Sequence, residues 1–262
     1  MKTERQNGIL KLLISKNSLR TDYLVKHFGV SIETIRRDIN ELERTGRIKK
    51  VYGGIQLVSE DLFVPSLDSW GERMNARSEE KDAIANRAME LIPDHATIAL
   101  DIGTTTYALS RLLGKRKGLT VITSSLQIAG ELSQRTDHCV YIIGGQLLKG
   151  EQITTGSFAR GFLDNFAAID LYICGADGIS LESGITEFNE GVADIKRHMI
   201  SISQKSILLA DSKKLGKKSL FKCCSLSDID TIVTDAQIPL HFLEGIKEQG
   251  VDVLLANTSN GK

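Results

Sequence analysis

The spacing of hydrophobic positions changes along the chain and separates two kinds of structure. In residues 1–58 the apolar positions recur three and four residues apart, as in amphipathic helices. From Ala96 onward, short and nearly continuous apolar runs alternate with helical segments. This alternation predicts an α/β domain with a mainly parallel, Rossmann-like sheet covered on both faces. We therefore expect a small domain at 1–58, a linker at 59–77 and a larger α/β domain at 78–262.

Three helices and a hairpin are predicted in the small domain. Helical stripes lie in Glu4–Lys16 and Thr21–Phe28, and the turn Gly29–Val30 leads into a third helix, Ser31–Gly46. Two helices joined by so tight a turn make a helix-turn-helix, whose second helix enters the DNA major groove. The sequence IKKVYGGIQLV then alternates apolar and polar residues across a glycine turn, which predicts a β-hairpin that serves as a wing.

The third predicted helix has one apolar and one polar face, with Ser31 as its expected N-cap. The apolar residues expected in the core are Ile32, Ile35, Ile39 and Leu42. The other face and the wing carry side chains that could reach phosphates and base edges. The predicted DNA-binding residues are Ser31, Thr34, Arg36, Arg37, Asn40, Lys49, Lys50 and Tyr52. An ordinary surface helix can show the same pattern, so the helix alone does not decide between the two.

Charge distribution favours DNA. The 262 residues include 33 basic and 33 acidic side chains, yet residues 1–58 hold twelve Lys or Arg against six Asp or Glu. A basic end on an acidic body indicates an anionic partner for that end alone. Binding through DNA phosphates should weaken steeply with salt.

Composition and cysteine usage argue against several other classes. No apolar run approaches the roughly 20 residues that span a bilayer, and the first residues interleave charge with apolar positions, unlike a secretory signal. The four cysteines form no Cys-x-x-Cys pair, so we expect buried thiols, no disulfide, no structural zinc and a cytoplasmic location. The five histidines show neither metal nor triad spacing, and we expect no metal and no cofactor.

Glycines and hydroxyl residues recur at the predicted strand ends. Asp101 is followed by Gly103, Thr104 and Thr105, and later strands end at Ser124-Ser125, Gly144-Gly145 and Gly175–Gly178. A lone Gly-Thr-Thr is more typical of an ordinary turn. Four such ends in one parallel sheet predict a pocket for a phosphorylated, hydroxyl-bearing small molecule, because ligands bind beyond the carboxyl ends of the strands.

Charged residues complete this set. A helix carrying Lys196 follows Glu190, and Lys213 and Lys214 follow a later strand. A lysine–carboxylate cluster is also what a sugar-phosphate isomerase needs to move a proton at carbon. A solvated basic loop is an equally good interpretation of each lysine near 214.

Together these motifs resemble the DeoR family of transcriptional regulators over essentially the whole chain. The matching segments are Val30–Glu43, Val51–Gly54, Asp101–Thr106, Gly175–Ile179, Thr186–Glu190 and Leu209–Gly216. The resemblance implies a winged helix-turn-helix joined to a sensor domain similar to ribose-5-phosphate isomerase and glucosamine-6-phosphate deaminase. It also implies phosphorylated sugars or related metabolites as effectors.

The strand ends and the resemblance together give a set of candidate effector-binding residues. They are Asp101, Gly103, Thr104, Thr105, Ser124, Ser125, Gly145, Asp177, Glu190, Lys196 and Lys214. Two departures from the family pattern stand out. Thr123-Ser124-Ser125 replaces a common Thr-Asn-Ser, which removes one amide, and Asp211-Ser212-Lys213-Lys214 replaces Asp-Ser-Ser-Lys, which leaves both lysines as candidates.

The leading hypothesis is a bacterial repressor of a carbohydrate operon that is not an enzyme. It would bind operator DNA as a homo-oligomer, a dimer or tetramer, and respond to a phosphorylated sugar. The alternative is a sugar-phosphate isomerase or deaminase with an accessory DNA-binding domain, because a fold does not fix a function. The basic first domain favours the regulator, since an enzyme does not need it. Repressor and activator are not distinguished by the sequence.

Overall fold

The computed structural model describes residues 5–6, 8–10, 12–13, 18–44, 48–51, 53–57, 70–135, 137–148 and 151–257. The chain divides into two compact units, Met1–Leu67 and Asp68–Lys262, called here the N-terminal unit and the sensor unit. Within the described ranges, no helix is long and apolar enough to cross a membrane.

The N-terminal unit combines helices with a three-stranded antiparallel sheet. Helix α1 comprises the helical residues among 5–13, and the other elements are β1 (Ser18–Arg20), α2 (Thr21–Phe28), α3 (Ile32–Arg44), β2 (Ile48–Val51) and β3 (Gly54–Leu57). Strands β2 and β3 form the predicted wing, and β3 also pairs with β1. The sequence did not predict β1, because three residues are too few to show a strand period.

The turn between α2 and α3 explains their tight junction. Gly29 has φ of 61°, a left-handed conformation that glycine adopts without steric cost, and its N–H donates to the Val25 carbonyl at 3.0 Å. Ser31 caps α3, since its Oγ accepts the N–H of Thr34 at 3.3 Å. The predicted stop at Gly46 lies outside the described residues.

One apolar cluster forms the core of the N-terminal unit. Its buried members are Ile9, Leu10, Leu13, Leu19, Leu24, Ile35, Ile39, Leu42, Ile48 and Ile55. The prediction that Ile32 belongs to this core is wrong, because its side chain is 38% exposed. Ile32 is the first residue of α3 and lies beyond the end of the buried stripe.

The sensor unit is built on a seven-stranded, entirely parallel sheet in the order β15-β14-β12-β9-β4-β5-β6, which confirms the predicted fold class. These strands overlap the short apolar runs that follow Ala96. The bounds are β4 (Thr97–Leu100), β5 (Thr120–Thr123), β6 (Cys139–Ile142), β9 (Ile169–Cys174), β12 (Ser203–Leu209), β14 (Thr231–Asp235) and β15 (Asp252–Ala256).

Helices cover both faces of this sheet. They are α4 (Trp70–Asn75), α5 (Ser78–Met89), α6 (Thr104–Ser110), α7 (Leu126–Arg135), α8 (Ser157–Leu163), α9 (Glu190–Ile202) and α10 (Leu240–Glu248). Strand β9 shows the two-sided burial: Tyr172 and Cys174 join one apolar cluster, whereas Leu171 and Ile173 join another. Helix α4 lies within the segment predicted as a linker.

Two small antiparallel sheets lie outside the main sheet. One is the hairpin β7 (Gln146–Leu148) and β8 (Ile153–Thr155), and the other has β10 (Gly178–Ser180), β11 (Gly184–Glu187) and β13 (Phe221–Cys224). The four cysteines are free. Cys174, Cys223 and Cys224 are buried as predicted, while Cys139 at the sheet edge is exposed.

The order of the strands creates a crevice. From β4 the chain adds β5 and β6 on one side, then places β9, β12, β14 and β15 on the other. The side on which successive strands are added therefore changes between β4 and β9. Open parallel sheets bind ligands beyond the strand ends at such a switch point.

Candidate DNA-binding surface and effector site

The outer face of α3 carries the predicted donors. Arg36, Arg37 and Asn40 are exposed, and so is Lys49 of the wing. A groove of about 350 Å³ lies between helix and wing, lined by Thr21, Arg36, Ile39, Asn40, Lys50, Val51, Gly53 and Gly54. Helix and wing thus present cationic and amide side chains to one groove, as contacts with phosphates and base edges require.

Three of the predicted DNA-binding side chains already have partners within the chain. Besides its role as cap, the Ser31 hydroxyl lies 3.0 Å from the Thr34 hydroxyl. Lys50 pairs with Glu43 through its ammonium, and its backbone N–H donates to Glu43 Oε1 at 3.2 Å. The hydrogen bond from the lysine lowers the pKa of the Glu43 carboxyl. Lys50 therefore ties the wing to α3, and Tyr52 lies outside the described residues.

A buried ion pair that the sequence did not reveal positions α3. Asp38 is only 1% exposed, and Arg5 Nε donates to its Oδ2 at 2.5 Å. The Gln6 amide donates to Asp38 Oδ1 at 3.3 Å and to Glu41 Oε2 at 2.7 Å. The hydrogen bond to Asp38 raises the pKa of Arg5. A signal was present, because Asp38 falls within the apolar stripe of α3, where a carboxylate needs a partner.

In the sensor unit, the residues at the switch point form a buried charge cluster. Lys196 of α9 is completely buried, and its Nζ lies 2.7 Å from Asp101 Oδ2 and 2.9 Å from Glu187 Oε1. It also donates to the carbonyl of Gly175. Asp101 follows β4 and Gly175 follows β9, so Lys196 joins the two strand ends that border the crevice.

Burial and charge act in opposite directions on this cluster. Burial alone would lower the pKa of Lys196, but the carboxylates of Asp101 and Glu187 raise it well above its ordinary value. Burial raises the pKa of Glu187 well above its ordinary value; Lys196 opposes this, and Asp177 adds to it. The Lys196 ammonium makes two hydrogen bonds and one further ion pair. Lys196 is thus a fixed cation that organises the carboxylates.

The predicted phosphate loop directly follows Asp101. Gly103 has φ of 140°, a conformation that L side chains rarely adopt, and its carbonyl accepts a hydrogen bond from the Thr106 hydroxyl at 2.9 Å. Thr104 and Thr105 are half-buried at the start of α6. This turn lies at the crevice because it continues from β4.

Three of the predicted effector residues, Ser124, Ser125 and Gly145, make close contacts within the fold. The Ser125 hydroxyl is buried and accepts the N–H of Ile128 at 3.3 Å, within the first turn of α7. At Gly145 a Cβ would lie 2.7 Å from the carbonyl oxygen of Thr155, so the glycine is required for close packing. Ser124 is buried, and its carbonyl accepts the N–H of Thr154 at 3.0 Å.

The remaining predictions divide between the cluster and its surroundings. Asp177 is half-buried, and its Oδ2 accepts the N–H of Phe188 at 3.0 Å. Glu190 is exposed at the start of α9, and Glu187 takes the place in the cluster that was expected for it. Lys214 is half-buried in a 3-10 turn after β12.

Comparison with known proteins agrees with this architecture. The family described as DeoR-like helix-turn-helix domain matches residues 5–61, and the DeoR C terminal sensor domain matches residues 76–236. The chain belongs to the DeoR family of transcriptional regulators. The two family matches fall on the N-terminal unit and the sensor unit.

Relatives of this DeoR-family chain are similar over nearly its whole length. The glycerol-3-phosphate regulon repressor of Escherichia coli is 32% identical over 253 residues, 97% of this chain and 98% of that protein. The HTH-type transcriptional repressor GlcR of Bacillus subtilis is 33% identical over 259 residues, 99% of this chain and 98% of that protein. Among solved structures, a ribose-5-phosphate isomerase in complex with phospho-erythronic acid is 21% identical, with a TM-score of 0.40 over 53% of this chain and 54% of that one.

Proposed function

We propose that this DeoR-family chain is a repressor that binds operator DNA through α3 and the wing and releases it when a phosphorylated sugar binds at the switch point. The observation that carries the proposal is that the two units hold two different kinds of charged region. An exposed cationic surface lies on one unit, and a buried lysine–carboxylate cluster lies at the sheet crevice of the other. The names of the relatives, repressors of regulons such as that for glycerol 3-phosphate, support it.

The DNA side of the proposal assigns roles by side-chain chemistry. Arginine reads guanine and asparagine reads adenine with paired hydrogen bonds in the major groove. Asn40 and Arg36 face the groove beside the wing and are our candidates for base contacts, while Arg37 and Lys49 are candidates for phosphates. As a homo-oligomer, dimer or tetramer, the protein would present one α3 to each half-site of the operator.

The effector side assigns polar groups at the crevice to a sugar phosphate. The carboxylates of Asp101 and Asp177 accept hydrogen bonds from sugar hydroxyls. The hydroxyls of Thr104 and Thr105 and the backbone around Gly103 suit phosphate oxygens, which anchor well in such turns. Lys214 supplies a cation near the same edge of the sheet.

We also propose that the chain is not an enzyme. The raised pKa of Glu187 favours the alternative, an isomerase, because a proton-transferring carboxyl is tuned in this direction. Against it, Glu187 is held 2.9 Å from the fixed cation Lys196 and is almost fully buried. Proton NMR of the protein with candidate sugar phosphates decides: an unchanged spectrum supports the regulator, and multiple turnover supports the enzyme.

The DNA-binding assignment is tested with an operator selected from random duplexes by the full chain. Arg37→Ala should weaken its binding in a mobility-shift assay and make that binding less sensitive to salt, as the loss of one phosphate contact does. Arg87→Ala, which removes a partly exposed arginine of α5, is the matched control and should bind as the wild type does. Equal affinities of wild type, Arg37→Ala and Arg87→Ala for the operator would contradict the assignment.

A further inference from the structure

The first described residues of the sensor unit lie across the carboxyl ends of its strands. We call residues 70–77 the strap; it comprises α4 and the two residues that follow it. Contacts at its two ends show where it runs.

Arg77 fixes one end. Its Nη2 lies 3.2 Å from Asp235 Oδ2 at the end of β14 and 3.0 Å from Glu80, and its Nη1 lies 3.6 Å from Asp211 Oδ1, just after β12. Arg77 has φ of 52°, a conformation that a side-chain-bearing residue rarely adopts, and the chain turns there into α5. This end of the strap is therefore held at the ends of β12 and β14.

Trp70 and Arg73 fix the other end. The Trp70 ring meets the Tyr107 ring of α6 edge-on at 5.9 Å, and the Arg73 guanidinium lies 5.7 Å from the Trp70 ring centre. Arg73 also forms an ion pair with Glu151, which precedes β8. Helix α6 follows β4, and the β7–β8 hairpin bridges to Ser125 after β5.

The two ends lie on opposite sides of the switch point. Strands β12 and β14 are on the β9 side, and α6 and the hairpin are on the β4 and β5 side. The strap consequently crosses the crevice that holds the Asp101–Lys196 cluster. Lys81 of α5, only 7% exposed, supports it by donating to the carbonyls of Arg73 and Ala76.

The charges around Arg73 suit an anion. Its ion pair with Glu151 is partly exposed, and such pairs are weak in water. Arg73 Nε is buried without a hydrogen-bond partner among the described residues. Burial lowers the pKa of Lys81; the carboxylate of Asp211 opposes this, and the charges of Lys214 and Arg73 add to it, so these cations and Asp211 all act on one another's surroundings. A phosphate bound here would gain charge-assisted hydrogen bonds that a single carboxylate does not match.

We propose that the strap closes over the effector site and that Arg73 exchanges Glu151 for the anionic group of the effector. The proposal rests on the proposed function, because it needs a phosphorylated ligand at the crevice. The strap follows the N-terminal unit closely in sequence, so the exchange acts near the point where the chain enters the sensor unit. Arg73 would therefore both bind the effector and set the position of the strap.

The first test needs no ligand. Trp70 is the single tryptophan of the chain, so its emission reports on the strap. Glu151→Gln should shift this emission and speed tryptic cleavage after Arg77 by up to about fivefold, because the ion pair that holds Arg73 is lost. Glu90→Gln removes a comparable exposed partner of Arg87 and should change neither. Identical emission and cleavage in wild type and Glu151→Gln overturn the proposal.

The second test uses glycerol 3-phosphate, ribose 5-phosphate, glucosamine 6-phosphate and inorganic phosphate with the full chain. A phosphate that raises the melting temperature should also change Trp70 emission. Calorimetry should show that it binds Arg73→Gln about tenfold or more weakly than wild type, and Glu151→Gln up to about fivefold more tightly. Binding that Arg73→Gln leaves unchanged refutes the strap and spares the proposed function. Binding of none of the four, with operator binding intact, contradicts both.

Discussion

The two units place their candidate functional residues in opposite environments. On α3 the candidate DNA contacts, Arg36, Arg37 and Asn40, are exposed, and the core is formed by the other face of the helix. In the sensor unit the central charges, Asp101, Lys196 and the glutamate that joins them, are buried. An exposed surface can be changed without disturbing the fold, whereas a change to a buried charge cluster also affects stability.

The largest expected effect follows from breaking the buried site. Lys196→Met leaves the buried carboxylate of Asp101 without its cation and removes the ion pair with Glu187, which should lower the free energy of unfolding of the sensor unit by about 3–5 kcal/mol. Chemical denaturation followed by circular dichroism measures it, with Arg87→Met as the control. Adding Glu187→Gln to Lys196→Met should recover part of the loss. A loss below about 1 kcal/mol, typical of an exposed pair, would contradict the described cluster.

The N-terminal unit contains a smaller version of the same arrangement. Asp38→Asn removes the charge that Arg5 faces, and we expect a loss of about 1–3 kcal/mol in the unfolding free energy of that unit. Operator affinity should fall as well, although Asp38 is buried away from the exposed face of α3. If the mobility shift is unchanged while the stability falls, Asp38 does not position α3.

The comparison also explains what the sequence could predict. The helices α2 and α3 and all seven main strands follow from local spacing, which acts within a few residues. The buried pairs do not: Lys196 and Asp101 are 95 residues apart in sequence, and Arg5 and Asp38 are 33 apart. Glu187 was overlooked in favour of Glu190 because a sequence motif does not show which of two nearby carboxylates is turned inward by a strand.

The pH dependence of the unfolding free energy reports on the buried site through the ionisation of Glu187. Glu187 has a pKa raised in the folded state, so as pH rises above about 4.5 its ionisation opposes folding. Glu187→Gln removes this contribution. The unfolding free energy of the variant, minus that of the wild type, should therefore increase from acid toward neutral pH. A difference that decreases over the same range would show that ionised Glu187 stabilises the fold.

The smallest effect is expected at the residue whose environment the sequence misjudged. Ile32→Ala should cost about 0.5 kcal/mol or less, because the side chain is already exposed. Ile35→Ala, one turn further along α3, should cost about 2–5 kcal/mol because it leaves a cavity in the core. Thermal unfolding of the two variants compares these losses of stability directly. Equal losses would show that Ile32 is buried in the core like Ile35.

The central claim is that a sugar phosphate bound in the sensor unit controls DNA binding by the N-terminal unit. The direct measurement is fluorescence anisotropy of a labelled, selected operator with the full chain, titrated with whichever of the four phosphates raises the melting temperature most. Wild type should release the operator, and Lys214→Gln should bind it with the same affinity but retain it throughout the titration. Release that is equal in both proteins, or operator binding that the ligand leaves unchanged, would contradict the account.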